Sequence, residues 1–431
     1  MAKRGEVIGG VDFGSHRIRV AIARQRADGE IQIIGHGEAP SRGCVVQGII
    51  QDLGEAQHAL RRALQAAEKE AGKKVASLFC GVGGKNVETC IREGHVKLEK
   101  QEVELEHLEE ALDQASRGLL APGKRVVSSI TSQEWYVDDL RVGDPIGLRG
   151  TVLKTRVHFA QLPAVIEDNL STCIESQGRD LEDVVFLPLA AAIGCLTPED
   201  MELGVAVLDM GRSTTGLAMY RDRRILATHS FEWGGFHLTR DVAAGLQISF
   251  EEANDLILEY GVPEALIRAG FEGEEGGEEK PAAVGSDGTA HIKLKSAVRG
   301  APTIVERQVL DHIIYERSRE LMTKVRQYLH ARGLVKNLVR GVVITGGTAS
   351  IKNQTLLAET IFQAPVRVGL PDSIDILPQP VNNPAYTPLV GVIRHGFEYR
   401  AATRSGRIES SRGFVGSLVH GLTNTFTKYF F

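Results

Sequence analysis

Two stretches of the chain, 197 positions apart from acid to acid, are written in one grammar. Residues 7–23 (VIGGVDFGSHRIRVAIA) run apolar to Asp12, pass Gly14, Ser15, His16 and Arg17, and resume as a second apolar run. Residues 205–220 (VAVLDMGRSTTGLAMY) do the same through Asp209, Gly211, Arg212, Ser213 and Thr214. Each reads as strand, Asp-x-Gly, polar turn, strand. One such unit is an ordinary hairpin. Two of them predict two related half-domains, with the functional cleft between them.

Length and charge bound the rest. A chain of 431 residues has room for two or three domains, and 42% apolar with 24% charged residues suits a folded soluble protein. A formal charge of −5 gives no general attraction to nucleic acid, and no zinc-finger, helix-turn-helix or aromatic-basic pattern accompanies it. The five cysteines (Cys44, Cys80, Cys90, Cys173, Cys195) form no C-x-x-C pair and sit among apolar neighbours, the pattern of reduced, buried thiols. Residues 1–10 lack an apolar stretch with a cleavage site, so no secretory signal is expected. No window of about 18 uninterrupted apolar residues predicts a membrane span.

Along the chain, 30–38 and 43–50 read as strands, 53–71 as a helix with Leu60, Ala63, Leu64 and Ala67 on one face, and 75–81 as a strand. Residues 83–164 change pattern: strand-like segments flank one charged helix at 103–120, as in an inserted α/β subdomain. Helix and strand return at 163–177 and 181–186, and 188–196 (PLAAAIGCL) is a small-residue helix suited to close packing at a hinge. Residues 236–244 and 249–260 read as helices, the second opened by a capping box between Ser249 and Glu252. Residues 270–288 read as an acidic surface loop, 303–329 as a long amphipathic helix and 341–345 as a strand. Residues 401–411 are small, polar and basic, as in a linker. Beyond them Phe414, Leu418, Leu422, Phe426 and Phe430 recur every fourth residue beside Val415, with Arg412 and Lys428 at the margin. On a helix they make one apolar stripe, the form of a membrane-surface helix.

The chemistry follows from the paired turns. Asp12 and Asp209 at the ends of strands suit the water shell of Mg²⁺, which takes one or two carboxylates plus phosphate oxygens. Backbone N–H groups at 14–17 and 211–214, with the Ser15, Ser213 and Thr214 hydroxyls, offer donors to an anion. Gly346, Gly347 and Thr348 follow a strand, where a missing Cβ lets backbone approach a base and sugar. Together they predict a nucleotide site.

The order of these elements resembles the actin/Hsp70/sugar-kinase superfamily and, within it, the bacterial FtsA family of cell-division proteins. The matching segments include SRGCVVQGIIQDL, SQEWYVDDLRVGDPIGLRG, PLAAAIGCLTPEDMELGVAVLDMG, GGFHLTRDVAAGL, EEANDLILEYG, RSRELMTKV and VITGGTASI, spread over almost the whole chain. The resemblance implies an α/β fold of duplicated, actin-like, ribonuclease-H-type domains around a nucleotide cleft. Its expected divisions are a first domain at 1–82 and 165–197, an inserted subdomain at 83–164, a second domain with its return at 198–400, a linker at 401–411 and an amphipathic membrane helix at 412–431. It further implies ATP with Mg²⁺ between the halves and Asn254 near the ribose. It implies self-assembly into filaments on the inner face of the cytoplasmic membrane at the division site, and other division proteins on the insert. Arg317 and Glu320, three apart on one helix face, match family residues that bind the C-terminal tail of the tubulin-like protein FtsZ; the other reading is an intrahelical ion pair. Arg212 in the phosphate turn and Ile257 near the expected ribose favour holding nucleotide over consuming it, with slow or absent hydrolysis. The alternatives are an ATPase or kinase of the superfamily, and an actin-like pilus-assembly protein, which would lack the terminal helix.

Overall fold

The computed structural model describes residues 6–99, 102–117, 119, 123–127, 133–275, 291–296 and 304–404. The chain opens with β1 (Val7–Phe13), β2 (Arg17–Gln25) and β3 (Ile31–Pro40), then a small hairpin of β4 (Val45–Val46) and β5 (Ile49–Ile50), helix α1 (Leu53–Ala71) and β6 (Ser77–Val82). A separate unit follows: β7 (Glu88–Lys97), α2 (Leu105–Ser116), β8 (Lys124–Val127), β9 (Gln133–Val137), β10 (Leu140–Val142) and β11 (Val152–Pro163). α3 (Ala164–Glu175) and β12 (Asp180–Phe186) return to the first sheet, and α4 (Leu187–Cys195) and α5 (Pro198–Leu203) lead out of it. The second half holds β13 (Val205–Met210), β14 (Thr215–Arg221), β15 (Arg224–Phe231), α6 (Gly235–Leu246), α7 (Phe250–Tyr260) and α8 (Glu264–Glu275). It continues with β16 (His291–Lys293), β17 (Ile304–Glu306), α9 (Arg307–Ala331), β18 (Val342–Thr345), α10 (Gln354–Phe362) and β19 (Val366–Val368), and ends in α11 (Thr387–Arg404).

The two main sheets have one topology. The first runs β12-β6-β1-β2-β3 and the second β19-β18-β13-β14-β15, each with its first three strands in sequence antiparallel and its last two added parallel on the other side. Parallel addition needs a crossover, which is why α1 lies between β5 and β6, and α6 to α9 between β15 and β18. The repeated motif is therefore a repeated fold, and the α/β architecture is the expected one.

Local chemistry sets the elements. α1 begins where the Asp52 carboxylate accepts the Glu55 N–H at 3.0 Å and ends where Gly72 turns left-handed at φ 61°. Its buried face, Ala56, Ala59, Leu60, Ala63, Leu64 and Ala67, is the one the spacing indicates, and its limits coincide with those read from sequence. α9 buries Leu310, Ile314, Leu321, Val325 and Leu329, a stripe with the helical period. It starts four residues later than its pattern, because residues 304–306 pair with β16 instead.

The halves are joined by an exchange of helices. α4 follows the first sheet but packs on β13 and β14, while α11 follows the second but packs on β1, β2 and β6. The two helices cross in close contact: a Cβ on Gly391 would lie 1.8 Å from the Ala190 carbonyl oxygen. The inserted unit forms its own sheet, β10-β9-β11-β7 with β8 on β11, and leans on the second half. Thr89 Oγ1 donates to the Thr228 carbonyl at 3.2 Å, His158 Nε2 meets Thr228 Oγ1 at 2.8 Å, and Arg224 pairs with buried Glu134 at 3.1 Å.

Several local readings change. The helix of the insert is shorter than residues 103–120. Ser249 Oγ does cap α7, but Glu252 leaves the capping box: its carboxylate takes the Lys295 and Ser296 N–H groups at 2.6 Å, and Ser249 N–H donates to Ser296 Oγ. Helix α8 continues through Glu275, so the start of the expected acidic loop is helical and its remainder to 288 lies outside the described residues. α11 runs to Arg404, into the segment whose composition marks a linker, because Arg400 and Arg404 are held by Glu182 and Glu6. The five cysteines are free thiols, and no described helix is long and apolar enough to cross a membrane.

Candidate functional site

Asp12 and Asp209 are each the penultimate residue of the central strand of their sheet. Asp12 lies opposite Arg19 on β2 and Gly81 on β6; Asp209 lies opposite Gly216 on β14 and Thr345 on β18. Both strands end at one cavity of about 240 Å³ between the halves, the place where open α/β sheets present ligand sites. The polar turns after the strands meet there. Ser15 Oγ and Ser213 Oγ are 2.7 Å apart across the cleft, and the Gln47 N–H, at the tip of the β4–β5 hairpin, donates to Ser213 Oγ at 3.1 Å.

Of the residues singled out from sequence, Asp12, Gly14, Ser15, His16, Asp209, Gly211, Arg212, Ser213, Thr214, Asn254, Gly346, Gly347 and Thr348 line this cavity. Arg17 does not: its side chain turns to Glu38 at 3.0 Å, and it acts as the first residue of β2. Ile257 lines the wall near Asn254, so that side is apolar apart from one amide. Gly346 has φ 83°, and a Cβ there would lie 2.6 Å from Asp209 Oδ1, so a side chain is excluded both by backbone and by space. Thr348 Oγ1 donates to the Gly211 carbonyl at 2.9 Å, tying the third element to the second turn.

The electrostatics are those of an incomplete site. Burial pushes the Asp12 carboxyl up to about 6, with Arg19 opposing. Burial pushes Asp209 up to about 7, helped by the charge of Asp12 and again opposed by Arg19. Arg19 is the guanidinium that acts on both carboxyls, and a further cation beside them would favour their charged forms. His16 is held below its usual value by burial and by Arg212, Arg17 and Arg19, so it stays neutral near pH 7. The Arg212 guanidinium lies 4.9 Å from the Phe236 ring centroid and faces the same cavity. The donors, the empty volume at Gly346 and the unbalanced acids fit a magnesium nucleotide. No cluster of three His, Cys, Asp or Glu side chains occurs among the described residues, so a metal here would need ligand oxygens from elsewhere.

Sequence reasoning missed Arg19, Gly235, Thr239 and Gly48, which also line the cleft. Arg19 had a signal: in a hairpin whose four-residue turn joins Phe13 to Ile18, it must lie opposite Asp12. The others come from elements brought in by tertiary packing.

Arg317 and Glu320 lie outside the cleft, on α9 where it faces α6. Arg317 Nε donates to Asp241 Oδ2 at 2.6 Å and its guanidinium also meets Glu320, which pairs in turn with Lys324 at 2.9 Å. The intrahelical pair is thus formed, and Asp241 is added to it. Lys324 Nζ stands 3.5 Å from the centre of the Trp233 ring, so the cluster is basic, acidic and aromatic at once. The terminal stripe, Phe414, Val415, Leu418, Leu422, Phe426 and Phe430 with Arg412 and Lys428, lies outside the described residues.

A family model for the cell division protein FtsA matches residues 206–391, and one for the SHS2 domain inserted in FtsA matches residues 84–160, the separate sheet described above. The chain belongs to the FtsA family. Its FtsA relatives extend over nearly its full length. The cell division protein FtsA of Pseudomonas aeruginosa is 28% identical over 408 residues, covering 94% of this chain and 93% of that one. FtsA of Escherichia coli K12 is 26% identical over 433 residues, covering 99% and 98%. In fold, the chain is similar to a protein of the PilM–PilN type IV pilus biogenesis complex, with TM-score 0.61 at 12% identity over 90% of this chain and 98% of that one. It is also similar to MreB 5 of Spiroplasma citri bound to AMPPNP, with TM-score 0.55 at 13% identity over 94% and 100%. The actin-like architecture and the cell-division family inferred from the motifs are therefore correct, and the pilus-assembly and kinase alternatives are not favoured.

Proposed function

We propose that this FtsA-family chain binds ATP with Mg²⁺ between its halves, polymerises on the inner face of the cytoplasmic membrane at the division site, and tethers an FtsZ ring there. The convergence of Asp12 and Asp209 on one cavity, with Ser15 and Ser213 in contact across it, carries the nucleotide reading. Bound Mg²⁺ would supply the positive charge the two acids lack. The acids would hold its water shell, the turns at 14–16 and 211–214 the phosphates, and Asn254 with Gly346, Gly347 and Thr348 the ribose and base. A ligand held by both halves would fix their angle, since α4 and α11 are the packed helices between them. MreB 5, similar in fold, was solved bound to AMPPNP, and in this chain nucleotide held between the halves would set the protein for assembly. Arg212 in the turn and Ile257 at the ribose wall favour retention over turnover.

The domain division offered above belongs to this reading, with the insert as the docking unit for other division proteins. The cluster of Arg317 and Glu320 would take the FtsZ tail, offering it a cationic and an anionic group on one face of α9, with Asp241 the group now on Arg317. For the tail of this chain, about nine large apolar groups at about 1.5–3 kcal/mol for full burial of each are enough for reversible attachment once ordering costs are met. A filament multiplies that attachment, because each further tail binds from a tethered state. Electron microscopy of the full chain with ATP on anionic liposomes tests the whole reading: lipid-bound filaments are expected, and soluble monomers on bare vesicles would overturn it.

A further inference from the structure

The end of the first sheet remote from the cleft is where the described chain leaves the body. Arg400 donates to Val7 O at 3.1 Å and to Ser77 Oγ at 2.9 Å and pairs with Glu182, and one turn later Arg404 pairs with Glu6 at 2.8 Å. Three residues before Ser77 stands Lys74, preceded by Lys73 and by Gly72, which closes α1; Lys69 is in the last turn of that helix. Arg179, in the turn before β12, pairs with Glu68 at 2.8 Å and closes a groove of about 590 Å³ between α1 and α3, lined by Arg61, Lys69, Lys73 and Lys74.

The charges at this end do not cancel. Glu6, Glu68 and Glu182 are each tied to an arginine, and Glu70 to His36 at 2.7 Å. Lys69, Lys73 and Lys74 are exposed and make no ion pair among the described residues, while Glu70, Glu175 and Asp180 are exposed acids of the same end. The groove itself is basic, with Arg61, Lys69, Lys73, Lys74 and Arg179 in its lining against Glu68, on a protein whose formal charge is −5. In sequence, Phe414 follows Arg404 by ten residues, a reach of at most about 35 Å. Lysines act on an anionic surface only within about a Debye length, ~8 Å, and a tether of that reach lets this end of the body close to that distance.

We propose that this basic end is a second membrane-contact site, in which Lys69, Lys73 and Lys74 take the phosphate headgroups of anionic phospholipids beside the inserted tail. The site rests on the membrane reading above and deepens it. It sets which way the body faces: the nucleotide cleft, at the opposite ends of the same strands, points away from the bilayer.

The full chain carrying Lys69→Gln, Lys73→Gln and Lys74→Gln together is co-sedimented with phosphatidylglycerol-containing and with purely phosphatidylcholine vesicles over a salt series. At about five-fold per lysine near an anionic leaflet, the dissociation constant on anionic vesicles rises roughly 100-fold, the salt dependence flattens and binding to neutral vesicles stays as it was. Exposed substitutions of this kind leave the thermal midpoint unchanged, which checks the fold. Wild-type affinity and salt dependence on anionic vesicles would overturn the site. So would a variant that keeps its lipid binding but loses co-sedimentation with FtsZ or with itself, which would make the patch a protein contact. Phe426→Glu is run beside it to separate the two readings. Detachment from both vesicle types supports the tail, whereas retention on both sinks the tail reading, and a loss in the lysine variant then supports the basic site by itself.

Discussion

Asp12 and Asp209 are asked for two incompatible things, a buried position and a negative charge. Because burial lifts both carboxyls from 3.8 to about 6 and about 7, the folded state holds their protons more tightly than the unfolded chain does. Their favourable contribution is complete below the unfolded value and is lost as pH rises through the folded values. In nucleotide-free protein the stability from these two residues therefore falls as pH rises from about 4 to about 7 and stays lower above that. Asp12→Asn at pH 8 should raise the thermal midpoint of the nucleotide-free protein, by on the order of 2 kcal/mol in stability, and abolish the shift produced by ATP with Mg²⁺. Thermal melts with and without nucleotide check both halves, and an intact nucleotide shift in the variant would remove Asp12 from the site. Gly346→Ala probes the cradle. With φ 83° and Asp209 Oδ1 2.6 Å from the new Cβ, it should cost about 2–4 kcal/mol in urea unfolding. These acids and this glycine were legible in the sequence because each sits in a local motif. Arg19 required the hairpin register, and Asp241 could not be read at all, since it reaches Arg317 from another helix 76 positions away.

At the scale of elements, close contacts decide what moves. A Cβ on Gly391 would overlap the Ala190 carbonyl at 1.8 Å, so Gly391→Ala must separate α4 from α11. It should cost about 2 kcal/mol or more and weaken nucleotide binding as well, which calorimetric titration against a melt would show; a stability loss alone would deny these helices a part in setting the cleft. The insert meets the second half through His158, which burial holds at about 4 against 6.5 free. That histidine contributes stability fully above pH 6.5 and loses it as pH falls through 4, about 3 kcal/mol in all. Its sign is opposite to that of the acids. His158→Gln should flatten the acid limb of the stability curve between pH 6.5 and 4, and an unchanged limb would place the acid sensitivity elsewhere. α11 itself gave no periodic signal: Leu389, Val390, Val392, Ile393 and Phe397 are buried nearly all round because the helix lies between a sheet and α4. Helical period is legible only when one face meets water.

For the whole molecule, the proposed membrane reading has one tail giving weak attachment and many giving strong attachment, so on that reading membrane binding should be cooperative in protein concentration and steeper with ATP. Phe414→Glu or Phe426→Glu should release the chain from anionic liposomes; unchanged co-sedimentation would remove the tail from the tether. If the basic end of the first sheet contacts the same leaflet, the body is held at two points, and the cluster around Arg317 and Trp233 is presented at a fixed orientation. The exchange of α4 and α11 between halves suits such a protomer, because hinge, cleft and chain exit all belong to one packed unit.

The sequence by itself determined the duplicated strand–Asp-x-Gly–strand unit, the three glycine-bearing turns, the limits of α1 and the family, because each of these is carried by neighbours along the chain. Tertiary structure alone decided that both acids share one cavity, that Glu252 leaves its capping box for Ser296, that Arg17 turns to Glu38, and that α11 continues to Arg404 at the basic end. Those outcomes depend on charges and hydrogen-bond partners supplied from distant segments, and no local spacing records which distant partner a side chain will meet.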